Sequence, residues 1–214
     1  MNIPLHYAVA PGFPIINGSS DNLLILLHGF GANEYDLLPL ATSFRLQCPC
    51  VSLRGPIILG NQQFAWYNLE LEAGAISYEI DEVDSAIDLV EQSINDLLGH
   101  YELKPQSIFL LGFSQGAGIA LATSLTRPTS VNKVVASSML WPDGYENDIL
   151  PTQRDLVDCL LIHGISDQII SIEAAKMNNN LLAKQGVKLH YEEFQMGHEI
   201  SPASVQSIAK FLKS

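Results

Sequence analysis

Short apolar runs alternate with helical patterns over most of this chain, and this alternation restricts the fold more than any other feature. Most of the runs lack the polar–apolar alternation of a half-exposed strand, so they predict strands buried on both faces. Because strands and helices alternate, we predict one α/β domain over residues 1–214, built on a mostly parallel sheet with helices on both faces. The runs are 23–27, 48–53, 108–111, 134–136 and 160–162, with a mixed run at 187–194.

Three helices can be predicted from the periodicity or the caps between these runs. Apolar residues recur three and four positions apart over 80–97, which is the stripe of a helix that packs on one side. A second helix is predicted over 172–185, where Gly186 is a suitable C-terminal stop. The last helix begins with Ser201 as its cap and Pro202 at its first position.

Charge and cysteine content exclude several classes of function. The chain has 214 residues and a formal net charge of −12, and without a basic cluster it is not expected to bind nucleic acid. No signal peptide is visible, and no apolar run approaches the ~20 residues of a membrane span. Cys48, Cys50 and Cys159 lack a disulfide or zinc-ligand spacing, so we expect reduced thiols, a cytoplasmic protein and no metal or other cofactor.

The sequence around Ser114 predicts a nucleophilic serine. Gly112, Ser114 and Gly116 form the pattern G-x-S-x-G, which an ordinary glycine-rich turn can also show. Here the pattern follows the run 108–111 and precedes a stretch of small residues, as in the strand–turn–helix elbow that presents a nucleophile. Larger side chains at 112 and 116 would collide with neighbouring backbone, and the helix N-terminus would face developing negative charge.

A serine hydroxyl needs a base, and His198 is the predicted one. Hydrolases with this elbow place the nucleophile first in the chain, then the acid, then the histidine. His163 ends the run 160–162 and His190 lies inside the run 187–194, so both are interpreted as structural. His198 stands in a short loop before the last helix.

Asp167 is the predicted acid of the same site. It lies in the loop after the run 160–162, at the carboxyl end of the predicted strand, where active sites of parallel sheets gather. Asp155 and Asp158 precede that strand and therefore fall at its other end. A loop turn or a helix cap is the alternative interpretation of Asp167.

The first apolar run leads into a glycine-containing loop that suits an oxyanion hole. His28-Gly29-Phe30-Gly31 follows the run 23–27, and its glycines allow the backbone to approach a ligand closely. One amide of the hole is predicted to be that of Gln115, directly after the nucleophile, and the other that of Phe30. His28 is interpreted as a packing or hydrogen-bonding residue.

Two long irregular stretches, 56–78 and 139–158, are left to shape a substrate site. The first carries Trp66 and Tyr67, and the second carries Leu140. We predict that these side chains form a shallow apolar wall for substrate. The alternative, at equal weight for the aromatic residues, is that they belong to the core.

Four segments resemble, in order and spacing, the carboxylesterase, phospholipase and acyl-protein thioesterase family. They read LLHGFGAN, LLGFSQGA, HGISDQII and MGHEIS, and the resemblance covers nearly the whole chain. It implies a single-domain α/β-hydrolase without a metal, and no insertion in the chain is long enough for a separate cap domain. The family's triad corresponds to Ser114, Asp167 and His198, and its oxyanion amides to Phe30 and Gln115.

The expected function is cleavage of small-molecule carboxylic esters with short to medium acyl chains, through a Ser–His–Asp triad and an acyl-enzyme. The alternatives are an acyl-protein thioesterase, a lysophospholipase or, outside catalysis, a binding protein of the same fold. Segments that depart from the family, such as SSMLWPDG, do not involve the triad. Nothing in the sequence indicates an oligomeric state.

Overall fold

The computed structural model describes residues 3–13, 15, 22–72 and 75–214. The predicted single domain over 1–214 also includes residues 1–2, 14, 16–21 and 73–74, which lie outside the described residues. In chain order the first half contains β1 (Tyr7–Val9), β2 (Asn22–Leu27), α1 (Leu38–Phe44), β3 (Cys50–Leu53), β4 (Ile57–Gly60), β5 (Gln63–Ala65), β6 (Glu70–Glu72), β7 (Ala75–Ser77) and α2 (Ile80–His100).

The second half contains the elements that carry most of the site. They are β8 (Ser107–Phe113), α3 (Gln115–Thr126), β9 (Val131–Ser137), α4 (Pro151–Leu156), β10 (Asp158–Gly164), α5 (Ile172–Lys184), β11 (Leu189–Phe194) and α6 (Pro202–Lys213), with a 3-10 turn at Tyr145–Asn147.

The main sheet is mostly parallel, as predicted. Its described strands follow the order β1-β3-β2-β8-β9-β10-β11. The pairing of β1 with β3 is antiparallel, and the other neighbours in that order run parallel. Each of the six runs overlaps one of these strands, and the ends of the strand differ from those of the run by at most three residues.

Helices cover both faces of the sheet, so the strands are apolar on both sides. In β2, Leu23, Ile25 and Leu27 pack into a core with α2 and α3. Leu24 and Leu26 point the other way, into a core that includes residues of α1 and α6. This division follows from the two-residue repeat of a strand, and it explains why the runs lack polar–apolar alternation.

Residues 56–78 are not the irregular stretch that we predicted. They contain two short hairpins, β4 with β5 and β6 with β7, although residues 73–74 lie outside the described part. Helices α1 and α4, strand β1 and the individual strands of the two hairpins are three to seven residues long, which is too short to show a clear period in the sequence. They were therefore missed.

Three helices were predicted correctly from periodicity and caps. The apolar stripe over 80–97 lies within α2. Helix α5 ends at Lys184, one residue before the predicted end, and Gly186 has a φ of +79°. Helix α6 begins at Pro202, and the hydroxyl of Ser201 accepts a hydrogen bond from the amide of Ser204, which is the predicted cap.

Helix α3 packs against the sheet at a distance that only glycine permits. A Cβ on Gly116 would overlap the carbonyl oxygens of Leu27 and His28, and a Cβ on Gly112 would overlap the carbonyl of Gly116. A Cβ on Gly118 would meet the carbonyl of Leu140. Backbone groups cannot move aside as a flexible side chain can, so these glycines set the position of the helix.

We expect Gly116→Ala to lower the free energy of unfolding by about 1–3 kcal/mol, since the added methyl overpacks the interface between α3 and β2. Gly99→Ala is the matched control because a Cβ there meets nothing within 4 Å. Gly99 is in α2, so Gly99→Ala should raise the free energy of unfolding by about 0.5–1 kcal/mol, because alanine has the higher helix propensity. Urea denaturation measures both, and equal effects of the two changes would contradict the packing argument.

Candidate active site

Ser114 occupies a strained turn between β8 and α3. Its backbone has φ +53° and ψ −117°, a conformation that non-glycine residues rarely adopt and that costs on the order of 1–3 kcal/mol. The turn is held by its neighbours: the amide of Ser114 donates to the carbonyl of Ser137 at 2.9 Å, and the amide of Leu140 donates to the carbonyl of Ser114 at 3.2 Å. The local structure is therefore the strand–turn–helix elbow that the sequence predicts.

A chain of two hydrogen bonds links Asp167, His198 and Ser114. Nδ1 of His198 lies 2.8 Å from Oδ2 of Asp167, and Nε2 of His198 lies 3.0 Å from Oγ of Ser114. A carboxylate only accepts, so Nδ1 donates to Asp167. In the neutral imidazole Nε2 is then an acceptor, and the hydroxyl of Ser114 donates to it.

The sheet topology explains why these three side chains meet. Ser114 follows β8, Asp167 follows β10 and His198 follows β11. These strands run in the same direction in the main sheet, so their carboxyl ends lie along one edge. The three residues that the sequence predicts as a triad are thus brought together.

The carboxylate of Asp167 is buried and is stabilised by its own loop. Its Oδ1 accepts hydrogen bonds from the amides of Ile169 and Ile170, both at 2.9 Å. Burial alone would raise the pKa of Asp167, but the hydrogen bonds from Ile170, His198 and Ile169 outweigh it and hold the pKa below its usual range. Asp167 therefore stays ionised opposite His198.

His163 and His190 do not contact Ser114 within the described hydrogen-bond network. His163 is buried, and its Nε2 donates to the carbonyl of Ile170 at 2.9 Å and lies 3.5 Å from Oδ2 of Asp167. His190 is exposed on β11, with its ring 5.8 Å from that of Phe211. The interpretation of both as structural residues agrees with these positions.

His28 fixes the loop that carries Phe30. Its Nδ1 donates to the carbonyl of Gly29 at 2.7 Å, and its Nε2 accepts from the amide of Gly55 at 3.0 Å. The side chain is fully buried, and burial lowers the pKa of His28. Both ring nitrogens are used in the neutral form, which agrees with the predicted hydrogen-bonding role.

The loop of Phe30 lies against the nucleophile. A Cβ on Gly29 would be 3.5 Å from Cβ of Ser114 and 3.1 Å from Cδ1 of Phe113. Phe30 itself is 43% exposed, and Gln115 is the first residue of α3. Both predicted oxyanion residues therefore belong to segments that adjoin Ser114.

The side chain of Gln115 has a role that the sequence analysis missed. Its Oε1 accepts from the amide of Trp66 at 2.9 Å, and its Nε2 donates to the carbonyl of Tyr67 at 2.7 Å. The fully buried amide thus fixes the segment after β5 beneath the elbow. Gln115 lies 49 positions from Trp66 and 48 from Tyr67, and no spacing in the sequence indicates contacts over such separations.

The prediction that Trp66 and Tyr67 form an apolar wall for substrate is wrong. Trp66 is 1% exposed and Tyr67 is 0% exposed, so the alternative that they belong to the core is correct. The indole of Trp66 donates to the carbonyl of His28 at 2.8 Å, and the ring of Tyr67 packs 5.2 Å from that of Tyr78. Leu140 is partly exposed beside Ser114 and remains a candidate.

Neither a metal-binding cluster nor a membrane-spanning helix is present among the residues that the structure describes. In that part of the chain, no group of three or more His, Cys, Asp or Glu residues is arranged to hold a metal ion. None of the helices described is both long and apolar enough to cross a membrane. The three cysteines are free and buried.

The fold and the elbow define the chain as an α/β-hydrolase, with esterases among its structural neighbours. It belongs to the phospholipase/carboxylesterase family, whose profile matches residues 15–214. Members of this family hydrolyse esters or thioesters, so the chain is an enzyme of that class.

Similar proteins include esterases and thioesterases. Acyl-protein thioesterase 1 of Saccharomyces cerevisiae is 33% identical over 160 residues, covering 70% of this chain and 67% of the relative. Acyl-protein thioesterase 1 of Mycosarcoma maydis is 27% identical over 218 residues, with 89% of each chain covered. The crystal structure of esterase PE8 is 26% identical, with a TM-score of 0.79 and 98% of both chains covered.

The buried position of His28 generates a prediction about pH. An unfolded histidine titrates near pH ~6.5, whereas burial lowers the pKa of His28 in the folded chain. As pH falls through ~6.5, the histidine therefore takes up a proton in the unfolded chain but not in the folded chain. The unfolded state is stabilised by this proton, so the free energy of unfolding decreases. From pH 7.5 to 5.5 the wild type should therefore lose more free energy of unfolding than His28→Gln, as measured by urea denaturation.

The control for this measurement is His190→Gln, because His190 is exposed. Urea denaturation of this variant at the two pH values should reproduce the loss seen in the wild type. If His28→Gln also reproduces it, His28 is not the group responsible.

Proposed function

We propose that this hydrolase cleaves carboxylic esters with Ser114 as nucleophile, His198 as base and Asp167 as the acid that orients the base. The observation that carries the proposal is the hydrogen-bonded chain from Asp167 through His198 to the hydroxyl of Ser114. A binding protein that had lost its chemistry would have no need to keep these three groups in register at the edge of the sheet.

In the acylation step Oγ of Ser114 attacks the acyl carbonyl while Nε2 of His198 takes its proton. The imidazolium that forms lies 2.8 Å from the ionised Asp167, which stabilises the positive charge. His198 then gives the proton to the leaving oxygen or sulfur. Water activated by His198 releases the acyl group from Ser114 by the reverse sequence.

The negative charge on the tetrahedral intermediate needs preorganised donors. We assign this role to the backbone amides of Phe30 and Gln115, which flank Ser114 from the loop of His28 and from the start of α3. The N-terminus of α3 adds a favourable dipole at the same point. Loss of one such donor typically costs about 10²–10³ in rate.

We propose that the acyl site binds acyl chains of short to medium length. With Trp66 and Tyr67 in the core, the apolar surface beside the nucleophile comes from partly exposed residues, Leu140 and Phe30. Two such side chains offer only a small apolar area to an acyl chain. Small neutral esters are therefore the favoured substrates, and the free, buried cysteines support a reducing, cytoplasmic setting.

A thioester substrate is the second candidate, because several relatives are acyl-protein thioesterases. The same groups serve both reactions, since a thiolate leaves from the same tetrahedral intermediate. The two substrates differ in what lies beyond the scissile bond, so a panel of matched ester and thioester pairs distinguishes them.

We expect a fluorophosphonate to label Ser114 covalently, because only a serine with an adjacent base is activated for this attack. Ser114→Ala should lose both the label and the hydrolysis of nitrophenyl acetate. Peptide mass spectrometry locates the adduct. An adduct on another serine would contradict the assignment.

The histidines provide matched controls for that experiment. His198→Ala should lower kcat/KM by orders of magnitude, whereas His190→Ala should leave it near the wild-type value. His163→Ala should act mainly on the free energy of unfolding, since His163 is buried away from Ser114 behind the loop of Asp167. A catalytic loss at His163 equal to that at His198 would overturn the choice of base.

Acyl-chain length should affect the rate in a limited way. Along nitrophenyl esters of increasing acyl length, kcat/KM should rise over the first members, since each buried methylene contributes up to ~0.8 kcal/mol. It should then level off once the chain extends beyond Leu140 and Phe30. A steady rise through long acyl chains would require a deep channel and would contradict the proposed acyl site.

A further inference from the structure

An open apolar cleft of about 200 Å³ lies next to the proposed triad. It is formed by the start of α1 with the two residues before it, the end of β8 and the loop before α6. Its lining residues are Asp36, Leu37, Pro39, Leu40, Phe113 and Ile200. Five of these six are apolar, and none of them was singled out by the sequence analysis.

The cleft shares a wall with the catalytic groups. Phe113 directly precedes Ser114, and its ring lies 4.9 Å from the ring of His198. On the other side, Cδ1 of Phe113 would be 3.1 Å from a Cβ on Gly29, in the loop of Phe30. Ile200 follows His198 by two residues. A substrate held by Ser114 can therefore extend into the cleft past His198.

The position beside His198 indicates which half of an ester the cleft receives. His198 delivers its proton to the leaving oxygen, so the leaving group must lie on the histidine side of Ser114. The acyl half stays on Ser114, where Leu140 adjoins the nucleophile through its backbone. Two apolar surfaces thus flank the scissile bond, and they serve different halves of the substrate.

We infer that this cleft is a leaving-group subsite, and that it binds a neutral, apolar alcohol of about six carbon atoms. A cavity of ~150 Å³ accommodates benzene, so 200 Å³ suits a group of that size. The exposed carboxylate of Asp36 at the cleft disfavours an anionic alcohol. The inference rests on the proposed function and adds the class of alcohol to it.

The chemical step places the alcohol in the cleft as it forms. The bond from Oγ of Ser114 to the acyl carbon forms, and the bond from that carbon to the alkoxy oxygen breaks. The proton that His198 took from Ser114 goes to the alkoxy oxygen. The product in the cleft is a neutral alcohol, whose hydrocarbon part contacts Leu40 and Phe113.

The test uses two ester series that lengthen opposite halves of the substrate. The alcohol series is ethyl, butyl and hexyl acetate, and the acyl series is ethyl acetate, butanoate and hexanoate. Binding along the cleft should raise kcat/KM about twofold or more per methylene of the alcohol, so hexyl acetate should exceed ethyl acetate by about tenfold or more. All members of the alcohol series form the same acetyl-enzyme, so differences in kcat/KM report acylation.

Substitutions that fill the cleft should remove the preference for long alcohols. Leu40→Trp fills it from α1, and Pro39→Trp does so from an exposed position that tolerates a new side chain. In each variant the ratio of hexyl to ethyl acetate should fall close to one, while the ratio of ethyl hexanoate to ethyl acetate should keep its wild-type value. Leu156→Trp is the matched control, since Leu156 is 67% exposed at the end of α4, which precedes the amino end of β10, and it should leave both ratios unchanged.

Three outcomes would overturn the inference, and they can be told apart. An alcohol ratio that survives in both cleft variants means that the cleft does not bind the leaving group. Loss of the acyl ratio in place of the alcohol ratio means that the cleft binds the acyl chain. Failure of the wild type to cleave any ester or to react with a fluorophosphonate removes the proposed function itself.

Discussion

The conformation of Ser114 is the constraint on which the rest of the site depends. A positive φ at a serine persists only where surrounding structure holds it, and here backbone contacts hold it from several sides. The turn is hydrogen-bonded to Ser137 and Leu140, while Gly112 and Gly116 allow α3 to pack against the sheet. The strain is thus supported by rigid backbone, and it leaves the hydroxyl where His198 can reach it.

Burial and hydrogen bonding shift the pKa values of the ionisable groups near that turn in opposite directions. Asp167 is buried yet stays ionised, because the amides of Ile169 and Ile170 and the ring of His198 stabilise its charge. His28 is buried as well, and burial outweighs the hydrogen bond to Gly29 and the nearby carboxylates of Asp36 and Glu34, so its pKa is lowered and the ring stays neutral. One group can therefore stabilise an imidazolium, while the other supports the neighbouring loop with fixed hydrogen bonds.

Much of the fold was predictable because its longest elements carry strong local signals. The buried parallel strands appear as apolar runs, and α6 shows its cap at Ser201 and its proline at Pro202. The positions of Ser114, Asp167 and His198 were predictable as well, since each follows a strand that ends at the same edge of the sheet. These inferences need only local pattern and strand direction.

The errors arose where long-range contacts decide the outcome. Trp66 and Tyr67 were predicted to lie in a substrate-binding loop. Their backbone is instead hydrogen-bonded to the side chain of Gln115, which is 49 and 48 positions away in the sequence. The cleft beside His198 combines residues near 36–40 with Phe113 and Ile200, and no single segment of sequence indicates it. Packing of distant segments, which periodicity does not encode, determined both features.

The buried side of the nucleophile and the cleft differ in how rigidly they are held, and this difference bears on specificity. Toward β5, Trp66 and Gln115 connect the elbow to the core through buried hydrogen bonds, so that side cannot open without leaving polar groups unpaired. Toward α1, the cleft is open and is lined by apolar side chains such as Leu40 and Ile200, so a substitution there leaves no buried hydrogen-bonding group unpaired. Sequence variation at the α1 side can therefore alter the alcohol that is accepted without disturbing Ser114, His198 or the loop of His28.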